Sequence, residues 1–316
     1  MIPESLRALL DDTQGQRHTE WAGREVWLAN EPWGELAVSL QGAQVLHFLP
    51  SPETATAEGS LPSPETATAE GSRCADAGGW LWVTPTPQDL PGAIRGGIPL
   101  CWPWFADEHT ADESPDRSGP MHGPARKASW ILEAVDEHDG GVELHLSPAE
   151  RLHSQLAPRA VIQANAQRLH VELVTEHRGE TPVKFSAALH SYFAVGDVHG
   201  CRVEGLAGAR YLDKLAGFAE CDQQGELGVR GSLDRIYHSN REVVLDDGNR
   251  RLRVAKQGSD STVIWHPDTE LPDDTPADAG RHFLCIEAAC TRLDPVWLVP
   301  GAQHLLGTTL SLEEQP

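Results

Sequence analysis

Short segments in which apolar and polar residues alternate recur along the chain, and this period of two constrains the fold most. Such alternation is typical of strands that bury one face and expose the other. The predicted strands are Glu25–Leu28, Glu35–Leu40, Gln44–Phe48, Val142–Leu146, Leu169–Val174, Arg251–Val254 and His304–Leu312. Turns between them are well supplied, because the 316 residues include 29 glycines and 23 prolines. The pattern favours antiparallel sheets.

These strands do not alternate with helices, and no GxGxxG follows one of them, so nothing indicates a dinucleotide-binding unit. An all-β chain must bury its apolar faces by packing sheet against sheet, and we predict a large antiparallel β-sandwich. Residues Ser5–Gln14 are the exception, because Leu6, Leu9 and Leu10 share one face of a short amphipathic helix. With 40% hydrophobic residues, the chain is expected to form one domain over residues 1–316.

The chain carries a formal net charge of −22, from 47 acidic and 25 basic residues. Such a charge repels nucleic-acid phosphates and anionic lipids, so neither nucleic acid nor a membrane is expected as a partner. It also repels small anionic substrates, unless basic residues are gathered locally. We expect a small-molecule ligand and a monomeric protein.

The first 18 residues are acidic and lack the apolar core of a signal peptide. No apolar run in the sequence reaches the length of a membrane span. The six cysteines show neither a CxxC pair nor a dense disulfide framework, and they are typical of buried, reduced thiols. These features predict a soluble, cytoplasmic protein.

Residues 49–60 and 61–72 carry the same twelve letters, LPSPETATAEGS. A tract so rich in Pro, Thr, Ala, Glu and Ser cannot bury a core. We predict a mobile surface loop over residues 49–72 that was lengthened by duplication. Such an insertion is tolerated because loop-closure entropy grows slowly with loop length.

The densest group of candidate site residues is IRGGIPLCWPWF, residues 94–105. Its paired glycines let the backbone approach a ligand, and its two tryptophans and one phenylalanine offer flat faces that suit a sugar. Arg95 precedes the glycines and can present a planar fork to an anion. The alternative is a tight turn packed beneath the tryptophans, with Arg95 in a structural ion pair.

A second candidate segment, MHGPAR, contains His122 and Arg126. A histidine in this context is often structural. Arg126 is informative because the rest of the chain is strongly acidic. If Arg126 and Arg95 share one pocket, they form the local positive patch that an anionic substrate requires.

Three further residues combine a titratable side chain with an apolar or strand-end context. His190 lies in the apolar segment AALHSYF, where a buried strand would lower the pKa of its imidazole; a core histidine bonded to backbone is the alternative. Glu287 ends the apolar run FLCIE, and burying an ionised carboxylate is costly unless it has donors or a function. Asp213, in YLDK, follows a predicted strand and could equally belong to a surface turn.

The fifteen histidines are scattered, without HExxH or HxH spacing, so metal ligation is not predicted. No GxSxG elbow or Walker loop occurs either.

Taken in order, these motifs resemble those of the aldose 1-epimerase superfamily, and in particular its glucose-6-phosphate 1-epimerase branch. The resemblance covers about residues 27–312 and rests on IRGGIPLCWPWF, HGPAR with Trp130 after it, ALHSYF followed by VGD, YLDK, and CIEAA before VPGAQHLLG. Relatives commonly have Phe at the position of Pro124, and some have Gln at that of Met121. The first difference is expected to alter the loop backbone, and the second removes a polar substrate contact.

The resemblance implies a β-supersandwich of the galactose mutarotase type and an isomerase that interconverts sugar anomers without a cofactor. It implies that Glu287 is the catalytic base and His190 the catalytic acid. Arg95 and Arg126 would bind the phosphate of a hexose 6-phosphate, while Asp213 and His122 would bind sugar hydroxyls.

Two other functions remain open at this point. A mutarotase of uncharged aldoses would not need both arginines in its pocket. A carbohydrate-binding sandwich without catalysis would not need the acid–base pair of His190 and Glu287.

Overall fold

The computed structural model describes residues 1–51, 78–106, 119–138 and 140–313. Most of its regular structure is β-strand, with one α-helix of eight residues near the N-terminus. The elements are α1 (Glu4–Asp11), β1 (Gly15–Trp21), β2 (Arg24–Glu31), β3 (Gly34–Ser39), β4 (Gln44–Pro50), β5 (Leu100–Cys101), β6 (Trp130–His138), β7 (Gly141–Pro148), β8 (Leu156–Asn165), β9 (Arg168–His177), β10 (Val183–Phe185), β11 (Ala187–Leu189), β12 (Tyr192–Ala194), β13 (Arg202–Glu204), β14 (Arg210–Asp213), β15 (Ala219–Asp222), β16 (Leu227–Gly228), β17 (Leu233–His238), β18 (Val243–Asp246), β19 (Arg251–Gln257), β20 (Ser261–His266), β21 (Phe283–Cys290), β22 (Val296–Leu298) and β23 (Gln303–Leu312).

Short 3₁₀ turns lie between some of these strands. Two of them adjoin the site described below, at Ala125–Lys127 and Lys214–Ala216. Two more in the described part of the chain are Val198–Gly200 and Ala279–His282.

Every strand predicted from the period-two pattern is confirmed, with ends that differ by a few residues. The predicted helix is also confirmed, although it ends at Asp11 and β1 begins at Gly15. Leu6 and Leu10 are fully buried and pack with Val26 and Leu28 of β2, which explains why the helix docks on that sheet.

The strands of the described part pair antiparallel in four sheets. Two of these are large: one has the order β15-β14-β17-β20-β21-β11-β5, with β12 also paired to β21, and the other has the order β16-β13-β18-β19-β23-β9-β8-β7-β6. A four-stranded sheet (β1 to β4) and a two-stranded ribbon (β10 with β22) complete the set. This is the predicted all-β sandwich architecture.

The two large sheets share one apolar core, and strand β21 shows how the site is separated from it. Leu284, Ile286 and Ala288 of β21 belong to that core. Successive strand residues point to opposite faces, so Glu287 lies on the other face of the sheet. The β-strand period therefore places a carboxylate outside the main core while the strand itself stays buried.

Several expectations concern segments that the structure describes only in part. Leu49 and Pro50, the first residues of the predicted 49–72 loop, belong to β4, and residues 52–72 lie outside the described residues. Single-domain organisation over residues 1–316 stays a prediction. Five cysteines are free and four of them are buried, as expected; Cys74 lies outside the described residues. Among the helices of the described ranges, none has the length and apolar character that crossing a membrane requires.

Candidate active site

A cavity of about 360 Å³ lies on the face of the β17–β20–β21 sheet that points away from the main core. Neighbouring strands present Ile236, Val263 and Glu287 in register across its floor. A larger and more open depression of about 460 Å³ lies around Arg210. Among the described residues that line it, the one carboxylate is the exposed Asp260, and none forms a buried acid–base pair. The polar side chains lining the smaller cavity are Arg95, His122, Arg126, His190, Lys214, Asp234, Glu287, Thr291 and Arg292.

Glu287 stands in the middle of β21 rather than at the end of an apolar run, and its side chain is 1% exposed. Neither carboxylate oxygen accepts a hydrogen bond from the described part of the chain. Burial raises the pKa of Glu287 well above its ordinary value; the nearby charge of Asp234 adds to this and that of Lys214 opposes it. A buried carboxylate without donors is costly for stability, which favours a role in chemistry.

His190 lies in the two-residue gap between β11 and β12, not within a strand as the sequence suggested. Its backbone N–H donates to Pro99 instead of to a strand partner. The imidazole is buried, stacks on the Tyr192 ring at 4.9 Å between centroids, and has Nε2 3.5 Å from Glu287 Oε1. The gap turns the imidazole toward the carboxylate on the neighbouring strand, since β12 continues the pairing with β21.

Burial sets the protonation of this pair when the cavity holds only the protein's own charges. Burial, followed by the charges of Arg126 and Arg95, lowers the pKa of His190 to about 3. The same desolvation raises the pKa of Glu287. Both changes favour the neutral pair, in which Glu287 holds the proton and His190 does not. The neutral pair and the ion pair contain the same single proton and differ only in its position.

Arg95 combines the two roles that the sequence left open. Its Nε donates to Asp274 Oδ1 at 2.5 Å, and its Nη1 donates to the Tyr192 hydroxyl at 3.3 Å. The ion pair is structural, yet Arg95 also lines the cavity. Asp274 balances much of the charge of Arg95, because the two groups are in direct contact and the Asp274 side chain is only 6% exposed, so water screens the pair little.

Arg126 and His122 reach the cavity from the segment that follows residue 118. The Arg126 Nη2 donates to the backbone carbonyl of Met121 at 2.9 Å, a contact that any residue at position 121 can provide. His122 has a backbone φ of 64°, an uncommon conformation for histidine, and its Nδ1 accepts the Ala106 N–H at 3.1 Å. Its ring meets the edge of His190 at 5.3 Å. Gly123 beside it is required, because a Cβ there would lie 2.1 Å from the Trp102 carbonyl oxygen.

Two features of IRGGIPLCWPWF differ from expectation. A Cβ at Gly96 or Gly97 would lie 2.4 Å from the Trp82 carbonyl or 2.0 Å from the Val45 carbonyl, so these glycines let backbone segments pack against each other and do not serve a ligand. Trp102 is buried in the main core instead of facing the cavity. The aromatic residues that do line the cavity are Phe105, Tyr192, Phe218 and Trp265.

Asp213 is the one predicted site residue that the structure does not bring to the cavity. It pairs in register with Arg235, and its carboxylate lies 3.4 Å from the Arg235 Nε and accepts the Leu215 N–H. Asp234 lies on the opposite face of the same pairing and lines the cavity, where it forms a 2.9 Å ion pair with Lys214. The alternation of side chains along the strands therefore brings Asp234 to the cavity and keeps Asp213 on the other face.

Sequence reasoning missed Asp234, Lys214, Trp265 and Arg292, which line the cavity. Asp234 and Trp265 are opposite each other in the β17–β20 pairing, but neither strand was predicted. The usable signal was alternation in Leu233–His238 and in Ser261–His266, whose lengths allow a strand. Arg292 rests over the Phe218 ring at 4.2 Å, a contact between distant segments that no local pattern reveals.

A second, smaller recess of about 210 Å³ adjoins the cavity and shares Arg95, Arg126, His190 and Tyr192 with it. Lys127 and Asp274 line the recess but not the cavity, whereas Glu287 lines the cavity but not the recess. The recess is therefore on the His190 side of the acid–base pair, and it is the basic end of the site.

Within the described ranges, one group of side chains is close enough to share a metal ion, namely Asp136, Glu143 and His145 on β6 and β7. None of the three lines the cavity or the recess. That the reaction proceeds without metal or cofactor stays a prediction from the resemblance.

Comparison with known proteins shows which family the chain belongs to. The family model described as aldose 1-epimerase matches residues 25–311. A Salmonella typhimurium protein named "Putative glucose-6-phosphate 1-epimerase" is 32% identical over 219 residues, which cover 66% of this chain and 71% of the relative. An Escherichia coli protein of the same name is 31% identical over 222 residues, covering 66% and 72%.

Solved structures show the fold independently of sequence identity. The crystal structure of a mutarotase from Salmonella typhimurium, described as putative, superposes with a TM-score of 0.78 at 24% identity and covers 96% of this chain and 95% of that one. A galactose mutarotase-like protein from Clostridium acetobutylicum superposes with a TM-score of 0.65 at 11% identity, covering 95% and 98%. The chain belongs to the aldose 1-epimerase family, and its activity is that of a mutarotase-type isomerase.

Proposed function

We propose that this mutarotase interconverts the α and β anomers of a hexose 6-phosphate, with glucose 6-phosphate as the expected substrate. The observation that carries the proposal is the order of groups along the site. Asp234 lies on β17, Glu287 lies two strands away on β21, and His190 lies in the gap between β11 and β12, which both pair with β21. The recess is lined by His190 and not by Glu287, so it lies on the His190 side. A base at the C1 hydroxyl and an acid at the ring oxygen leave the C6 substituent on the acid's side.

The order of these groups matches the order of atoms in a hexose 6-phosphate. The C1 hydroxyl and the ring oxygen are bonded to the same carbon, so they can face Glu287 and His190, whose nearest atoms are 3.5 Å apart. The ring oxygen leads through C5 to C6, while the C2 hydroxyl lies on the other side of C1. A phosphate on C6 therefore meets Arg95, Arg126 and Lys127, and the C2 side of the ring meets Asp234.

The chemistry requires one proton to move in each direction. Ionised Glu287 takes the proton of the C1 hydroxyl, His190 gives a proton to the ring oxygen, and the C1–O5 bond breaks to leave an aldehyde. Rotation about C1–C2 and the reverse transfers close the ring on the other face. Each positioned acid or base accelerates the reaction about 10²–10⁴-fold. When the ring is open, Glu287 holds a proton and His190 does not. This is the neutral form of the pair, which burial favours.

Other groups hold the sugar while this happens. Trp265 offers a flat apolar face for the C–H side of the ring, and His122 offers its remaining ring nitrogen to a hydroxyl. We assign to Asp234 the hydroxyl contact that the family resemblance gave to Asp213. The names of the relatives support the phosphorylated substrate, since they name glucose 6-phosphate.

The substitution Arg126→Ala tests the substrate assignment. A charge-assisted contact to phosphate contributes about 1.5–3 kcal/mol, so KM for glucose 6-phosphate should rise about 10–150-fold, and KM for glucose far less. Anomer exchange measured by NMR on both sugars gives the two constants. Arg159→Ala is the matched control, because Arg159 is exposed on β8 and lines neither cavity nor recess.

Equal losses on both sugars would make Arg126 a structural residue and favour an uncharged aldose as substrate. Binding of either sugar with no exchange in the wild-type protein would indicate a carbohydrate-binding sandwich without catalysis.

A further inference from the structure

The recess contains a positive charge that no carboxylate of the described residues balances. Among the described residues, no carboxylate pairs with Arg126, and its buried Nε has no hydrogen-bond acceptor. Arg95, which shares the recess, is held by Asp274. Lys127 completes the wall. Arginine keeps its proton, so an anion bound in the recess would balance the charge of Arg126.

That unbalanced charge faces the catalytic acid. Arg126 and His190 line both the recess and the cavity, so the two side chains border the same open space. The imidazole Nδ1 is buried and has no partner among the described residues. The titratable, charged and aromatic groups that face His190 are Glu287, His122, Tyr192, Trp265, Phe105, Arg95, Arg126 and Lys214.

Most of the charges in that set oppose protonation of His190. Arg95, Arg126 and Lys214 are positive, and Asp274 balances Arg95 while Asp234 balances Lys214. Arg126 remains. It acts in the same direction as burial, and both lower the pKa of His190. The free site therefore holds its acid in the unreactive form.

We propose that the recess is an activating anion site: a divalent anion bound against Arg126 converts the neutral Glu287–His190 pair into the ion pair that opens the sugar ring. The proposal rests on the proposed function, in which the substrate phosphate is that anion. The proton that appears on His190 comes from Glu287, so no other donor or acceptor is needed. The phosphate then acts as a switch for catalysis as well as an anchor for binding.

The expected size follows from electrostatics at short range. An opposite charge within about 4–6 Å changes a titratable group's pKa by about 1–3, which increases a minor ionised form about 10- to 1000-fold. Because activation uses a remote part of the substrate, a sugar without the phosphate should lose turnover and not merely affinity. An added anion should raise the turnover of such a sugar at least about tenfold.

Sulfate with glucose separates the two parts of the substrate. Sulfate is divalent and does not exchange protons near neutral pH, so it can occupy the recess without serving as an acid or base. Enzyme-catalysed anomer exchange of glucose is measured by NMR at fixed ionic strength, with sodium chloride as the balancing salt. Rates without enzyme are subtracted. We expect a saturable increase in kcat/KM of about tenfold or more in the wild-type protein.

Variants locate the effect. Arg126→Ala should abolish activation by sulfate, Arg126→Lys should restore part of it, and Arg159→Ala should respond as wild type does. A structural role for Arg126 would lower the rate on glucose without changing the response to sulfate. Activation that persists in Arg126→Ala would overturn the assignment of the recess.

The outcomes also separate this proposal from the proposed function. If glucose 6-phosphate is preferred but sulfate leaves glucose turnover unchanged or inhibits it, the substrate assignment stands and activation is wrong. If glucose and glucose 6-phosphate have the same kcat/KM and sulfate has no effect, both proposals are wrong.

Discussion

Glu287 is surrounded in a way that packing does not explain. Its carboxylate is buried, has no hydrogen-bond donor in the described part of the chain, and stands beside an imidazole whose pKa is also changed by burial. A glutamine or leucine would fit a strand in this position at lower cost. Perturbed titratable pairs of this kind gather at catalytic sites, because burial and neighbouring charges there adjust each group's proton affinity to its role as acid or base.

Glu287→Gln should abolish anomerisation while sugar binding remains. Gln keeps the volume and removes the base, so kcat should fall by about 10²–10⁴-fold or more. Exchange rates by NMR give kcat, and isothermal titration calorimetry with the same sugar measures binding. Glu25→Gln is the control, since Glu25 is exposed on β2. Exchange at the wild-type rate in Glu287→Gln would refute the assignment of the base.

At the scale of elements, strand parity decides which side chains enter the site. Asp213 and Asp234 belong to neighbouring strands, β14 and β17. Asp213 is opposite Arg235, and Asp234 stands one residue earlier, on the other face. A motif read along the chain cannot distinguish these faces unless the strand and its register are known.

Asp234→Asn should therefore reduce kcat/KM on glucose 6-phosphate about 10–150-fold, the value of one charge-assisted hydrogen bond to a sugar hydroxyl. Asp213→Asn should change it by less than about threefold. Asn also caps the turn at Leu215, so folding should be kept in the control. Steady-state kinetics on the two variants measure the difference. The reverse ranking would return the hydroxyl contact to Asp213.

The sequence predicted the elements that long alternation defines, such as β9 and β23. It also singled out His190, Glu287, Arg95 and Arg126, which line one cavity and whose roles stay predictions. It failed where structure depends on pairing between distant segments. His190 lies between strands because Pro99 accepts its N–H, and Gly96 and Gly97 are needed because neighbouring backbone lies against them. Contacts of this kind are set by sheet register and leave no local pattern.

At the scale of the whole molecule, the distribution of charge works against the proposed substrate. The net charge is −22, while the cavity and recess gather Arg95, Arg126, Lys127, Lys214 and Arg292. A dianionic sugar phosphate is repelled by the surface at long range and attracted by the recess at short range. Ionic strength separates the two effects, because the Debye length falls from about 30 Å at 0.01 M to about 10 Å at 0.1 M and 3 Å at 1 M.

The dependence of kcat/KM for glucose 6-phosphate on sodium chloride should consequently pass through a maximum. Between about 0.01 M and 0.1 M salt, screening removes the long-range repulsion, because exposed charges more than a Debye length apart stop interacting. The recess is partly buried and is screened less, so its attraction weakens only as salt approaches about 1 M. Uncharged glucose, measured in the same series, should show a nearly flat profile. A decline for glucose 6-phosphate from the lowest salt onward would mean that the recess outweighs the surface at every distance. Flat profiles for both sugars would mean that the site does not recognise phosphate.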